Sequence, residues 1–171
     1  MKIFQPFHLI SDTHFDHTNI IRYTNRPFSD VRSMNRVLIR NWNSVIHPGE
    51  NVFFLGDLTF GRHHKPVSYW LHRLNGRKML IKGSHDSGVY NTYPSFEVEY
   101  RGIKFYLVHD PSEIPEDWEK NGWAIHGHIH NKGRFIDIEH KRINVSVEQI
   151  NYTPVNIDTI VNFIRESELR R

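Results

Sequence analysis

Three histidines stand at every second position in the stretch WAIHGHIH, which covers residues 123 to 130. In an extended segment, side chains two residues apart project to the same side, about 6 to 7 Å from one another. His126, His128 and His130 can therefore converge on one spot, and their imidazole nitrogens suit a metal ion. Histidine is also abundant in this chain, at 13 of 171 residues, so solvated loop histidines are an equally good interpretation of the triplet alone.

Acidic residues and histidines also follow four other apolar runs. FHLI precedes SDTH at 11–14, NVFFL precedes GD at 56–57, KMLI precedes KGSHD at 82–86, and KFYLV precedes HD at 109–110. Short apolar runs with such ends are typical of buried strands, although periodicity alone does not separate them from buried helix segments. Polar groups beyond the carboxyl ends of strands in an α/β sheet line a shared crevice. We therefore expect these side chains to meet in one site.

The composition limits which ligands such a site can use. The chain has no cysteine, so disulfides and thiolate ligands are excluded, and aspartate with histidine favours Mn²⁺, Fe²⁺ or Zn²⁺. The length of 171 residues suits one domain and a hydrophobic fraction of 38% suits a globular chain, so a single folded domain over residues 1–171 is expected. With neither a long apolar run nor a signal peptide, a cytoplasmic protein is expected. The net charge is +3, and the charged residues are scattered along the chain. This is compatible with a phosphate-bearing substrate but indicates no nucleic-acid groove.

Helical patterns lie between the early strands. Ser29 is expected to cap a helix from Asp30 to about His47, and a second helix is expected around Pro66 to Leu74. This alternation of strands and helices favours parallel strands with crossover helices. Further along, the patterns predict an antiparallel pair of 96–100 with 102–108, another of 134–139 with 142–147, and a last helix after residue 156.

The motifs resemble, in order and spacing, those of the calcineurin-like metallophosphoesterases. That family's pattern runs D-x-H, GD, GNH followed by D or E, then H, then GHxH. The corresponding residues here are Asp12-Thr-His14, Gly56-Asp57, Gly83-Ser84-His85-Asp86, His109 and Gly127-His128-Ile-His130. The chain is also similar to small bacterial and archaeal members through SDTHF, NII and RPF near its start and NVSV at 144–147. The resemblance implies an α/β fold, a four-layer α-β-β-α sandwich with mixed sheets.

The resemblance also implies a dinuclear centre. Asp12, His14 and His130 would hold the first divalent metal ion, His109 and His128 the second, and Asp57 would bridge the two. Mn²⁺ is the expected ion, with Fe²⁺, Zn²⁺ and Ni²⁺ as alternatives. Two such ions lower the pKa of a water molecule and draw charge from phosphoryl oxygens. His126 lies outside the pattern and is expected to be structural or to contact the metal ligands without binding a metal itself.

The GSHD block carries the remaining chemistry and the one departure from the family pattern. His85 is expected to protonate the leaving oxygen, and Asp86 to orient the ring of His85. Ser84 stands where the family has an asparagine that ligates the second metal. A serine hydroxyl is shorter and a weaker ligand, which puts the occupancy of the second metal position in question.

The resemblance implies a phosphoester hydrolase, and the absence of a capping domain favours phosphodiesters over an enclosed monoester. The sequence lacks the arginine-bearing motifs of protein Ser/Thr phosphatases, so small phosphoesters or nucleotides are the expected substrates. Alternatives are a nuclease that acts on DNA or RNA ends and stacks bases on Phe15, Phe60 or Tyr90, and a non-catalytic binding scaffold with a weakened second metal site. His17, Arg62 and His63 are candidate phosphate contacts. No membrane partner is expected, and a homo-oligomer is left open.

Overall fold

Two five-stranded sheets form the centre of the protein. The computed structural model describes residues 1–61, 64–86 and 91–169. Its elements in chain order are β1 (Phe7–Ile10), α1 (Thr18–Tyr23), α2 (Val31–Val45), β2 (Asn51–Phe54), α3 (Val67–Leu71), β3 (Arg77–Ile81), β4 (Thr92–Tyr93), β5 (Ser95–Tyr100), β6 (Ile103–Val108), β7 (Trp123–His126), β8 (Ile136–Asp137), β9 (Arg142–Asn144), β10 (Val155–Asn156) and α4 (Ile157–Leu169). Two short 3-10 turns, Pro111–Glu113 and Trp118–Lys120, precede β7.

Both sheets combine parallel and antiparallel pairs. The first has the order β10-β1-β2-β3-β4, in which β1 to β4 are parallel and β10 runs antiparallel to β1. The second has the order β5-β6-β7-β9-β8, in which β6, β7 and β9 are parallel and both edge strands are antiparallel. The predicted α/β fold with mixed sheets is confirmed. The carboxyl ends of β1, β2 and β3 therefore lie along one edge of the first sheet.

Side chains along β1 and β2 alternate between the two faces of the first sheet, so the hydrophobic core consists of two clusters. Phe7, Leu9 and Phe53 pack against residues of the second sheet and of α4, whereas Val52 and Phe54 face the opposite way, towards α2. This period of two is the ordinary geometry of a strand whose two faces are both covered. Because every side chain from Phe7 to Ile10 is buried, β1 is held firmly on both faces just before the polar residues that follow it.

The predicted helix that begins at residue 30 is present, but its cap differs. Asp30 is the N-cap, since its side chain accepts hydrogen bonds from the backbone N–H groups of Arg32 and Ser33. The expectation that Ser29 caps this helix was wrong, because the aspartate one position later makes the reciprocal capping box with Ser33. The helix ends at Val45, two residues before the expected end. α3 is also shorter than its prediction, with Pro66 as its N-cap.

The second predicted antiparallel pair, which corresponds to β8 and β9, is shorter than expected because the chain after β9 pairs with the end of β1 instead. The chain leaves β9 after Asn144 and joins the end of β1: Ser11 N–H donates to the Val145 carbonyl at 3.0 Å, and Val147 N–H donates to the Ser11 carbonyl. This segment therefore connects the two sheets at their carboxyl ends. The first antiparallel pair and the last helix are confirmed, while α1, β4 and β10 were not predicted. Within the described ranges, no helix is both long and apolar enough to cross a membrane.

Candidate metal centre

Two groups of acidic and histidine side chains meet where the strands of both sheets end. Asp12, His14 and His130 form the first group and Asp57, His109 and His128 the second, with the candidate ligand atoms of each group within 4.8 Å of one another. Asp57 joins them, because its Oδ2 atom lies 3.5 Å from His14 Nε2 and 3.4 Å from His109 Nε2. The structure thus brings together all six Asp and His residues that were expected to hold the two metal ions.

Five of these six residues have a left-handed backbone conformation. The positive φ angles are 59° at Asp12, 49° at His14, 59° at Asp57, 68° at His128 and 51° at His130. Residues other than glycine seldom adopt this conformation, although aspartate and histidine tolerate it better than most. Each such residue costs free energy, and clusters of them occur where function requires one fixed geometry. The turns after β1, β2 and β7 therefore direct their side chains inward at the expense of backbone strain.

Two glycines allow these turns to approach one another. A Cβ atom on Gly127 would collide with Ser11 Oγ and Asp12 Oδ2. Gly56 has a φ of 89°, and a Cβ there would lie 2.7 Å from His109 Nδ1. The close approach lets the backbone N–H of His128 donate a 2.9 Å hydrogen bond to Asp12 Oδ2. The two groups are thereby linked through the backbone as well as through Asp57.

Neighbouring acceptors indicate which ring nitrogen of His109 and of His130 can bind a metal. His109 Nδ1 lies 2.7 Å from the Leu55 carbonyl, which leaves Nε2 facing Asp57. His130 Nδ1 lies 3.1 Å from Glu148 Oε1, which leaves Nε2 facing Asp12. A histidine that donates one ring N–H to an oxygen carries its lone pair on the other nitrogen. Both rings therefore present Nε2 as the free ligand atom.

Unpaired polar atoms show that the first group fits a cation. Asp12 Oδ1 and both ring nitrogens of His14 are buried and have no hydrogen-bond partner among the described residues. Burial raises the pKa of the Asp12 carboxyl and lowers the pKa of His14 to about 2. A neutral imidazole and an uncompensated buried carboxyl are costly to leave unpaired, and a divalent cation would satisfy both.

The second group also favours a positive charge. Burial lowers the pKa of His109, but its contacts with Asp57 and Asp12 outweigh burial and raise that pKa to about 9. Burial also raises the pKa of Asp57, but His109 and the backbone N–H of His85 lower it well below the ordinary range. Two carboxylates therefore attract either a proton or a metal ion to this position, and these compete for the same imidazole lone pair.

Arg26 and Glu148 support the first group, in roles that were not predicted from the sequence. Glu148 Oε1 accepts a hydrogen bond from Arg26 Nε at 2.9 Å and forms an ion pair with Arg26 Nη2 at 2.8 Å, and both side chains are buried. The guanidinium also donates to the backbone carbonyls of Thr13 and Asp12. Burial raises the pKa of Glu148, but its partners His130 and Arg26 lower it to about 2. Only the similarity of the RPF segment to family members gave any signal for this pair.

Asp86 acts differently from its expected role. Its carboxylate accepts backbone hydrogen bonds from Asp57 at 2.8 Å, Leu58 at 3.1 Å and Gly83 at 2.9 Å. The expectation that Asp86 orients the His85 ring is therefore corrected: the turn after β2 has backbone N–H groups that need an acceptor, and Asp86 supplies it. Asp86 ties the loop after β3 to the turn that carries Asp57.

His85 and Ser84 lie on the exposed side of the centre. The His85 backbone N–H donates to Asp57 Oδ1 at 2.8 Å, and its ring centroid lies 5.7 Å from that of His14. Ser84 Oγ lies 3.4 Å from His128 Nδ1, at the edge of the second group. His128 Nδ1 also lies 3.2 Å from His109 Nε2, whereas its Nε2 faces Asp110 at 3.6 Å.

The remaining candidates divide between the site and the core. The His17 ring lies 5.4 Å from that of His14, so His17 borders the centre. Phe15 is completely buried and stacks on Trp70, so the suggestion that it binds a base was wrong. His126 is buried with Nδ1 against the Gly127 carbonyl and belongs to neither ligand group. Arg62, His63 and Tyr90 lie outside the described residues.

Comparison with known proteins identifies a close relative and a similar structure. No protein-family model matches the chain. An uncharacterised protein of Methanocaldococcus jannaschii is 45% identical over 173 residues, covering 98% of this chain and 96% of that protein. A crystal structure of a protein of unknown function from Aquifex aeolicus matches with a TM-score of 0.72 and 26% identity, over 96% of this chain and all of the other. An archaeal phosphodiesterase matches more weakly, with a TM-score of 0.47 and 18% identity over 83% and 82% of the two chains.

Proposed function

We propose that this chain, which belongs to one family with the Methanocaldococcus jannaschii protein and carries the motifs of the calcineurin-like metallophosphoesterases, hydrolyses phosphodiesters with the help of two divalent metal ions. One observation carries the proposal: two Asp/His groups lie side by side and share Asp57, whose Oδ2 atom faces a histidine of each group. A carboxylate between two sets of nitrogen and oxygen ligands is suited to a pair of ions.

The residues present can hold both ions. Asp12, His14 and His130 would bind the first, and Asp57 would contribute to both. His109 and His128 would bind the second, with Ser84 at its edge. When bound, the ions activate water and neutralise charge on the phosphoryl group. The nitrogen and oxygen donors, without thiolates, suit Mn²⁺ and also Fe²⁺, Zn²⁺ or Ni²⁺.

His85 would act on the leaving group. Its backbone is fixed through the hydrogen bond to Asp57 Oδ1, while the residue itself is exposed beside the centre. An imidazole on the open side can donate a proton to the departing ester oxygen. Asp86 contributes indirectly, because its three backbone hydrogen bonds hold Asp57 and the loop before His85 in register.

The exposed rim favours phosphodiesters over small enclosed monoesters. The side chain of His128 is 38% exposed, and Ser84 and His85 are also exposed. A second ester group on the phosphorus could therefore extend into solvent without colliding with protein side chains. His17, which borders His14, is proposed as a phosphate contact, and Arg62 and His63 follow as contacts from the adjoining segment.

Metal removal and restoration test the proposal. The chelated protein should hydrolyse neither bis(4-nitrophenyl) phosphate nor 4-nitrophenyl phosphate, and added Mn²⁺ should restore hydrolysis, with the diester preferred. Asp57→Ala should fail to recover activity and should retain less metal. Full activity after exhaustive chelation would refute a metal-dependent mechanism, and lack of activity with every divalent ion tried would favour a binding scaffold. A steep loss of diester turnover with salt would instead favour a nuclease.

A further inference from the structure

Four rings form a continuous surface beside the first ligand group. We call His17, Tyr23, Phe60 and His85 the ring cluster. The Phe60 centroid lies 4.2 Å from that of His85 and 4.8 Å from that of His17, and the His17 centroid lies 6.1 Å from that of Tyr23. The cluster starts at the centre, because the rings of His85 and His17 lie 5.7 and 5.4 Å from His14.

Phe60 is exposed although its backbone is firmly held. Its N–H donates to the Phe15 carbonyl at 3.1 Å, and the Thr59 hydroxyl donates to the same oxygen at 2.7 Å. The neighbouring apolar side chains of Phe15 and Leu58 are buried, whereas Phe60 is 37% exposed. An apolar ring fixed at the surface by buried neighbours is preorganised. The protein therefore loses little conformational entropy when a ligand covers the ring.

The position of Phe60 indicates which part of a substrate it would contact. It touches both imidazoles that border His14, so it lies one ring away from the candidate metal ligands. A phosphoryl group at the ligand groups would direct an ester substituent across His85, the expected proton donor, towards Phe60. Tyr23, which is 65% exposed, extends the same surface beyond His17.

We propose that the ring cluster binds a planar aromatic substituent of the phosphoester, an aryl ring or a nucleobase, stacked on Phe60. This inference rests on the proposed phosphoesterase function and names its substrate class. The cluster offers apolar ring faces and no fixed charge beyond the imidazoles, so it recognises a flat ring rather than a sugar or an alkyl chain. Stacking of one base on an aromatic side chain changes affinity by about 5- to 150-fold.

Binding measurements distinguish the contribution of the aromatic ring to affinity from that of the phosphate. AMP, phenyl phosphate and ribose 5-phosphate carry the same phosphate monoester with a base, an aryl ring or neither, and isothermal titration with Mn²⁺-loaded protein measures each dissociation constant. The protein should bind AMP or phenyl phosphate at least fivefold more tightly than ribose 5-phosphate. Preference for AMP alone assigns the nucleobase, and an equal preference for phenyl phosphate assigns a general aryl site.

Two variants and one control complete the test. Phe60→Leu should abolish the preference and leave the affinity for ribose 5-phosphate unchanged, whereas Phe60→Trp should keep or increase the preference. Tyr93→Leu removes another exposed aromatic side chain, 52% exposed and packed on Phe96, and should change nothing. Equal weakening of all ligands by Phe60→Leu would show that Phe60 only positions His85 and would overturn the proposal. So would equal affinity of the unaltered protein for the three ligands, or binding of none of them.

The proposed function is judged separately. Hydrolysis of phosphodiesters without any preference for ring-bearing ligands would refute the stacking site alone. A preference for AMP in a metal-loaded protein that hydrolyses no phosphoester would refute the enzymatic function and leave a nucleotide-binding site.

Discussion

Glu148→Gln should weaken one of the two metal positions because it changes the tautomer of His130. In the unaltered protein the carboxylate accepts from Arg26 through Oε1 and faces His130 Nδ1 with both oxygens, at 3.1 and 3.2 Å. Glutamine has one oxygen, which the guanidinium would retain, so its amide would donate to His130 Nδ1. The ring hydrogen would then move to Nε2, the nitrogen that faces Asp12 Oδ1. A protonated Nε2 cannot bind a metal ion.

The size of the effect follows from the contacts. Loss of the partner that orients a metal-binding histidine lowers metal affinity about 10- to 100-fold, which is about 1.4 to 2.7 kcal/mol. Stability should fall as well, because breaking a buried ion pair costs about 3 to 5 kcal/mol when one charge is left alone. Arg26 keeps its hydrogen bonds to the Thr13 and Asp12 carbonyls and to the amide oxygen, so the loss should lie at or below the lower end.

Equilibrium dialysis of Mn²⁺ against metal-free protein measures the two binding steps. One step should weaken 10- to 100-fold in Glu148→Gln, and Glu148→Asp, which keeps the charge, should recover part of the loss. Glu116→Gln makes the same chemical change at an exposed position and serves as the control. Circular dichroism verifies that each variant is folded. A folded Glu148→Gln variant that binds both Mn²⁺ equivalents as before would refute the assignment of His130 Nε2 as a ligand atom.

Three other predictions follow from the site. His85→Ala should reduce turnover about 10²- to 10⁴-fold with metal content unchanged, whereas Asp57→Ala should lose metal too; equal metal loss in both would contradict their separate roles. Ser84→Asn should tighten the second Mn²⁺ equivalent and raise turnover, because an amide oxygen reaches further than a hydroxyl; lower activity would mean that the loop has adapted to serine. The depressed pKa of Glu148, about 2 against an ordinary 4.5, stabilises the fold above pH 4.5 and ceases to do so as pH falls towards 2. Urea unfolding of the metal-free protein should therefore show a loss of about 3 kcal/mol over that range that Glu148→Gln lacks.

Residues at strand ends were predictable because their placement depends on local pattern and sheet geometry. Each apolar run formed a strand, and the parallel strands brought Asp12 and Asp57 to the same edge as a consequence of topology. The histidines at 128 and 130 did converge on one centre, but through two left-handed residues rather than through the extended segment from which that expectation began. The sequence shows the spacing of these residues and not their φ angles.

Contacts between distant polar residues could not be predicted in this way. Arg26 and Glu148 are 122 positions apart, and either would ordinarily be assigned to the surface. Asp86 stands next to His85, so a contact with its neighbour was the simplest expectation. Its actual partners include the backbone N–H groups at 57 and 58, whose need for an acceptor arises only from the turn after β2.

Two carboxylates that belong to neither ligand group hold the centre together. Asp86 joins the turn after β2 to the loop after β3, and Glu148, through Arg26 and His130, joins the turn after β1 to the turn after β7. With Asp12 and Asp57 these make four acidic side chains in or behind the centre, and among the described residues the guanidinium of Arg26 pairs with one of them, Glu148. If all four carboxyls are ionised, the charges of Arg26 and of protonated His109 leave two negative charges uncompensated, which is costly away from water. Two divalent ions would supply the missing positive charge, and this balance supports a metal-loaded protein over a scaffold that works without metal.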